Sequence, residues 1–229
     1  MTQKRLLVPT QSRDDWQRLL GEPVKHWKPG RSAMLCASTW ENANGLPASI
    51  SAAFDRSDDS GDHSSLDLVL AVPEYQTPLD GGIAGSQSDV FCVVRGPRGL
   101  VCVTVEAKVD ETFGPTLSDW KVSTSASGVA KRLGQIESKL GLRDSFPDAV
   151  RYQLLHRLAA AVIEAERFYA KAAAMVVQSF LDDDDRNGFA DFCVFAKIFG
   201  ITNVEKNRMY RTVADGTPKL IGWVQENGG

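Results

Sequence analysis

The chain is short of the residues that announce the commoner metal and nucleophile chemistries. It has four cysteines, Cys36, Cys92, Cys102 and Cys193. None forms a CxxC pair and their spacing fits no zinc module, so they read as reduced, mostly buried thiols. Three histidines, His26, His63 and His156, leave little from which to build a histidine-rich metal centre. Neither GxSxG nor HExxH occurs, which removes support for the hydrolase classes built on those motifs. No apolar run approaches the roughly 18 residues needed to span a bilayer. The opening MTQKRLLVPTQSRDDW also lacks the apolar core, at least about seven residues long, of a signal peptide. The expected address is therefore the cytoplasm, with no membrane contact. A basic excess is missing too. Lys and Arg total 26 against 29 Asp and Glu, for a net charge of -3. Any contact with nucleic acid must then come from a local patch.

What is present is an ordinary globular composition, 43% hydrophobic and 24% charged over 229 residues. The expectation is a single domain, 1–229, in which a polar leader (1–29) precedes a core at roughly 30–225. Within that core, 31–43 carries Ala33, Cys36, Ala37 and Trp40 at helical spacing and stops at Gly45. A second helix over 46–54 has Pro47 in its first turn. The acidic, Ser-rich segment 55–65 reads as a loop and 66–72 as a strand. Two Val-rich runs, 89–94 and 100–109, have the near-continuous apolar character of central strands covered on both faces. The Gly-Pro-Arg-Gly between them makes the pair an antiparallel hairpin. Helices follow over 128–140 and 145–170, then a strand at 172–180, a helix at 192–200 and a hairpin turning at Asp215-Gly216. The fold class is α/β with a mixed sheet.

The chemistry concentrates at the end of the third strand, in Glu106-Ala107-Lys108. Side chains alternate along a strand, so Glu106 and Lys108 share a face. Two opposite charges in a Val-rich strand destabilise it unless they are paired or bind something. If the hairpin turns about Pro97-Arg98, the numbers of paired residues sum to 195 and Asp89 stands opposite Glu106. Directly opposed Cβ atoms lie about 4.5–5.5 Å apart. Carboxylates that close repel one another, and a bridging divalent cation relieves the repulsion. Asp89 and Glu106 are thus candidate ligands for Mg²⁺ or Mn²⁺, which would polarise a phosphodiester and lower the pKa of a bound water. Lys108 would position or deprotonate that water, or neutralise charge developing on phosphorus.

Asp89, then sixteen residues, then Glu106-x-Lys108, on a hairpin that follows a helix and a first strand, resembles the PD-(D/E)XK nuclease superfamily. Ser88 stands where the superfamily has its Pro. The segments SAMLCASTWENANGLP and RYQLLHRLAAAVIEAERF are also similar to a group of uncharacterised bacterial proteins assigned to that fold. The resemblance implies a restriction-endonuclease-like αβββαβ core with a mixed central sheet, extra helices and a C-terminal hairpin. It also implies Mg²⁺-dependent cleavage of nucleic acid, and a homodimer is compatible with it. Superfamily members often carry a Glu on the first helix, which maps to Glu41. Exonuclease-like branches carry a Gln on the helix after the ExK strand, which maps to Gln153, with Arg157 one turn later able to meet a phosphate. A protein of the same fold that has lost catalysis and serves as a binding or regulatory module is the alternative. A nuclease of this kind should line its cleft with positive charge.

Two other motifs compete less well. Asp183-x-Asp185-x-Asn187-Gly188 matches the first half of an EF-hand loop, but Val194 stands where the bidentate Glu belongs. That segment is expected to be a solvated acidic loop, with Asn187 or Asp191 capping the Phe-rich helix. Gly81-Gly82-Ile83-Ala84-Gly85 lacks the Lys-Ser/Thr of a phosphate-binding loop and reads as a mobile loop near the mouth of the site.

Overall fold

Val-rich segments without interruption form the centre of the sheet, and the chain builds outward from them. In the structure, a computed structural model, residues 10, 12–57, 65–81, 84–124, 126–142, 146–212 and 214–226 are described. The first residues of the leader, most of the acidic loop with His63, Gly82-Ile83 and the expected helix start at 145 lie outside them.

A six-stranded mixed sheet has the order β1-β2-β3-β4-β6-β5. Strands β1 (Asp67–Thr77), β2 (Ser86–Gly96) and β3 (Gly99–Lys108) form an antiparallel meander. Strand β4 (Ala172–Ser179) runs parallel to β3 and to β6 (Lys219–Gln225), and β5 (Arg208–Arg211) closes the far edge antiparallel to β6. The β2–β3 register runs from Gly96↔Gly99 to Val90↔Val105, so the 195-sum holds along the whole ladder.

Helices cover both faces. On one lie α2 (Ser32–Asn42) and α3 (Ala48–Asp55), whose Cys36, Ala37, Trp40, Ile50 and Phe54 pack with Val90, Cys92, Val103 and Val105. On the other lie α5 (Ala126–Leu140), α6 (Tyr152–Arg167) and α7 (Phe189–Lys197). Helix α6 is the crossover between the parallel strands β3 and β4, and its Leu154, Leu155, Leu158 and Ala159 are wholly buried.

Several boundaries differ from expectation for identifiable reasons. Strand β1 does not stop at 72 but continues through Pro73 to Thr77. Proline is tolerated there because β1 is an edge strand and a missing N–H leaves no ladder bond unmade. The stretch after β3 contains a helix, α4 (Leu117–Ser123), whose Thr116 N-cap accepts the Asp119 N–H at 3.3 Å. Helix α6 starts at Tyr152, later than 145, because Arg151 is extended and bridges to Thr116. Helix α7 starts at Phe189, after Gly188 in a left-handed conformation (φ 84°) whose close approach to Phe113 excludes a Cβ. The leader is more than polar. It contains a 3₁₀ helix (Arg13–Leu19) and a short α1 (Pro23–His26), and its Trp16 is buried in the core.

Candidate active site

Strand β2 delivers Asp89 and strand β3 delivers Glu106 and Lys108 to the sheet face on which α6 packs. Where the backbone ladder ends, the Asp89 side chain takes over: its Oδ2 accepts the Ala107 N–H at 2.6 Å. Lys108 Nζ lies 2.9 Å from Glu106 Oε1 and 4.9 Å from the centroid of Phe113. All three residues line a cleft of about 620 Å³.

Helix α6 closes the constellation from above. Gln153 Nε2 donates to Glu106 Oε1 at 2.8 Å, while its Oε1 accepts from Lys108 Nζ at 3.3 Å. Arg157 Nε donates to Glu106 Oε2 at 2.5 Å, and its second nitrogen reaches Ser86 Oγ at 2.8 Å. The sequence-expected residues Asp89, Glu106, Lys108, Gln153 and Arg157 are therefore brought together. Gln153 and Arg157 each give one donor to Glu106, so both hold that carboxylate in place. Glu41 is the exception. Its carboxylate accepts Trp16 Nε1 at 2.9 Å and the Thr10 hydroxyl, and it does not line the cleft. The Trp16 indole fixes that side chain on the leader's side of α2, a constraint invisible in the helix pattern.

A residue not anticipated joins the site. Strand β1 pairs Pro73 with Val90 and Tyr75 with Ser88, which sets Glu74 across from Asp89. Glu74 has a left-handed backbone (φ 52°), unusual for a non-glycine residue within a strand. Its Oε2 accepts from Gln87 Nε2 at 2.7 Å, and it lines the same cleft. The signal that could have found it is the β1–β2 register, hidden because Pro73 reads as a strand terminator.

The three carboxyls are not equivalent. Burial pushes Glu106 up, but the Arg157 and Lys108 cations outweigh it and lower its pKa to about 2. Burial raises Glu74 to about 8, with Asp89 adding to the rise. Burial, then the Glu106 charge, raises Asp89 to about 7. Glu106 is thus charge-compensated, whereas Asp89 and Glu74 are neighbours that meet mainly neutral donors.

A hard divalent cation would satisfy that pair, because it would set positive charge beside two carboxyls held above their usual pKa. Among the described residues no group of three or more His, Cys, Asp or Glu side chains is set as a metal cage. Mg²⁺, however, is held by one or two carboxylates and keeps several waters. The EF-hand-like segment offers less. Asp182 and Asp184 pair with Lys206 at 2.8 and 2.7 Å, and Asn187 Oδ1 accepts the Phe189 N–H at 3.0 Å. It is the solvated, capping loop expected of it.

The cleft wall corrects one expectation. Glu22, Glu74, Asp89, Glu106 and Glu111 face Lys108, Arg157 and His26, so the lining is acid-rich rather than positive. The leader contributes Leu20, Gly21, Glu22 and His26 to that wall. Among the described residues no helix is long and apolar enough to cross a membrane.

A family described as a domain of unknown function, DUF6946, matches residues 9–228, and the chain belongs to it. No curated protein and no solved structure matches the chain.

Proposed function

We propose that the protein is a divalent-cation-dependent phosphodiesterase of PD-(D/E)XK type that hydrolyses nucleic acid. The observation that carries this reading is the meeting of Asp89, Glu106 and Lys108 in one cleft, on the two strands of one hairpin. The order helix, antiparallel three-strand meander, crossover helix, parallel strand supports a restriction-endonuclease-like core. A cytoplasmic setting belongs to the same proposal.

Asp89 would hold Mg²⁺ or Mn²⁺ together with Glu106, and Glu74 is placed to join them. The bound cation supplies Lewis acidity toward a phosphodiester oxygen and a more acidic water. Lys108 carries a positive charge on the same face, where it offsets negative charge that builds on phosphorus. Gln153 and Arg157 fix the Glu106 carboxylate, so this group need not reorganise during reaction. The Phe113 ring and the Thr112 carbonyl, 3.5 Å from Nζ, restrict the Lys108 ammonium to that position.

A second reading is favoured by one observation. Both cations of the floor, Lys108 and Arg157, are already committed to Glu106, which suits a fold that has lost catalysis and serves as a binding or regulatory module. Incubation with single- and double-stranded DNA and RNA in Mg²⁺ or Mn²⁺ separates the two. The phosphodiesterase cuts at least one substrate and loses that activity in Asp89→Asn, whereas a binding module retains substrate uncut. Failure to cut or bind any of the four overturns both.

A further inference from the structure

His156 stands one residue before Arg157 on α6 and lines the cleft, yet it takes no part in holding Glu106. Its ring is fixed from three sides. Tyr152 lies against it with ring centroids 4.8 Å apart, and Tyr152 is itself stacked on Trp120 at 3.8 Å. Ser86 Oγ is 2.9 Å from Nδ1, and an Arg157 guanidinium nitrogen is 3.5 Å from the same atom.

The hydrogens around Nδ1 can be assigned by elimination. A guanidinium only donates, so Ser86 Oγ accepts from Arg157 at 2.8 Å. Ser86 is fully buried, and its own hydroxyl hydrogen then needs an acceptor. Among the described residues that acceptor is Nδ1. A proton on Nδ1 would instead face the Arg157 N–H and leave the serine hydrogen unused. Nδ1 is therefore the acceptor, and the ring proton resides on Nε2. Burial, reinforced by the Arg157 charge, lowers the His156 pKa well below its usual value and keeps the ring neutral. No group among the described residues engages Nε2.

We infer that His156 presents a neutral, pre-oriented Nε2–H donor to a non-bridging phosphoryl oxygen of the substrate, with Ser86 and Arg157 as the residues that set its tautomer. The inference rests on the phosphodiester reading of the cleft and deepens it. Lys108 and Arg157 both pair with Glu106, whereas the His156 Nε2–H meets no acceptor among the described residues and is a donor left for substrate. A neutral N–H also adds no charge to the buried carboxylate group beside it. Arg157 thereby serves two neighbours, gripping Glu106 through one nitrogen and ordering Ser86 and His156 through another.

Two measurements on the full chain test this. Long-range ¹H–¹⁵N spectra of the free protein at pH 7 should show Nδ1 unprotonated and Nε2 protonated; the opposite tautomer overturns the inference. Binding of a short oligodeoxynucleotide in Mg²⁺ is then compared in the Lys108→Ala background, where the bound strand is cut about 10²–10³-fold more slowly. Adding His156→Ala should weaken affinity about 10-fold or more, the loss expected for one hydrogen bond to a charged oxygen. Adding His156→Gln, whose amide N–H can occupy the Nε2 position, should restore most of it. The Mg²⁺-induced rise in Tm should be the same in all three proteins, which separates a substrate contact from damage to the carboxylates. Unchanged affinity in His156→Ala overturns the His156 assignment and leaves the phosphodiesterase reading standing on wild-type cleavage. Absence of both oligonucleotide binding and wild-type cleavage overturns the two together.

Discussion

Asp89→Asn is the sharpest perturbation of the site, because it removes charge while keeping shape. The Asn side-chain oxygen can still accept the Ala107 N–H that Asp89 accepts at 2.6 Å. Asp89 goes from an ordinary 3.8 to about 7 in the fold, pushed by burial and by Glu106. A carboxyl with a raised folded pKa stabilises the fold fully only below its unfolded value, and that stability is lost as pH climbs through the folded value. For Asp89 the window therefore runs from about pH 4 to above pH 7. At about 1.4 kcal/mol per pKa unit, ionisation of Asp89 between pH 5 and 8 withdraws on the order of 2–3 kcal/mol from wild type and nothing from the Asn variant. The Tm advantage of Asp89→Asn over wild type should accordingly widen by roughly 5–10 °C between pH 5 and pH 8 in EDTA. Mg²⁺ should narrow the gap. At about 100 times its Kd it should stabilise wild type by about 2.7 kcal/mol and leave the variant nearly unmoved. Differential scanning fluorimetry of both proteins at the two pH values, with EDTA and with Mg²⁺, reads the gap under each condition. A gap that does not widen would refute the reading of Asp89 as an uncompensated buried acid. An equal Mg²⁺ rise in both proteins would move the cation elsewhere.

Other outcomes follow from the same contacts. Lys108→Ala should lower the cleavage rate about 10²–10³-fold while the Mg²⁺-dependent rise in Tm largely survives; single-turnover cleavage and melting curves check the two arms. Arg157→Met leaves Glu106 buried without its closest cation and should destabilise the protein by about 3–5 kcal/mol in urea titration, more than Lys108→Ala does. Glu41→Gln should leave both the Mg²⁺ response and cleavage intact, since Glu41 serves Trp16 and Thr10. Trp16→Ala should destabilise by about 3–5 kcal/mol, because Trp16 is 2% exposed within the core.

The hairpin was legible because its information is local. Gly-Pro-Arg-Gly fixed the turn, the turn fixed the 195-sum, and the sum placed Asp89 beside Glu106. Gln153 and Arg157 were legible by helical spacing, although their duty was not: which polar group a side chain finds depends on how α6 lies across β3, a tertiary fact. Glu74 was hidden for the opposite reason. The β1–β2 connection is long and has no diagnostic turn, and Pro73 in the strand reads as a stop unless the strand is known to lie at an edge. Trp16 sat in a segment otherwise rich in charge, so composition put it outside the core. Glu41 followed Trp40 on the helix flank in the expected way, yet the leader's indole captured it. Local patterns located the elements, and the errors fall where two segments distant in sequence meet.

The distribution of charge in the cleft has a consequence for how an acid-rich site can receive an anion. Glu106 is held ionised by Arg157 and Lys108, whereas Asp89 and Glu74 resist ionisation. In the absence of a cation the second pair relieves its repulsion by keeping a proton; a bound cation would displace it, so cation affinity should strengthen as pH rises toward 8. A phosphodiester meeting the metal-free cleft would face net negative charge and be repelled. With a cation bound, the same carboxylates would be neutralised, and the donors Lys108 and the His156 imidazole would determine how the phosphate sits. Under the proposed function the order of events would be cation first, nucleic acid second. Oligonucleotide affinity measured against Mg²⁺ should therefore rise with metal occupancy, and a strand that binds equally well in EDTA would show that the carboxylates do not govern access to the cleft.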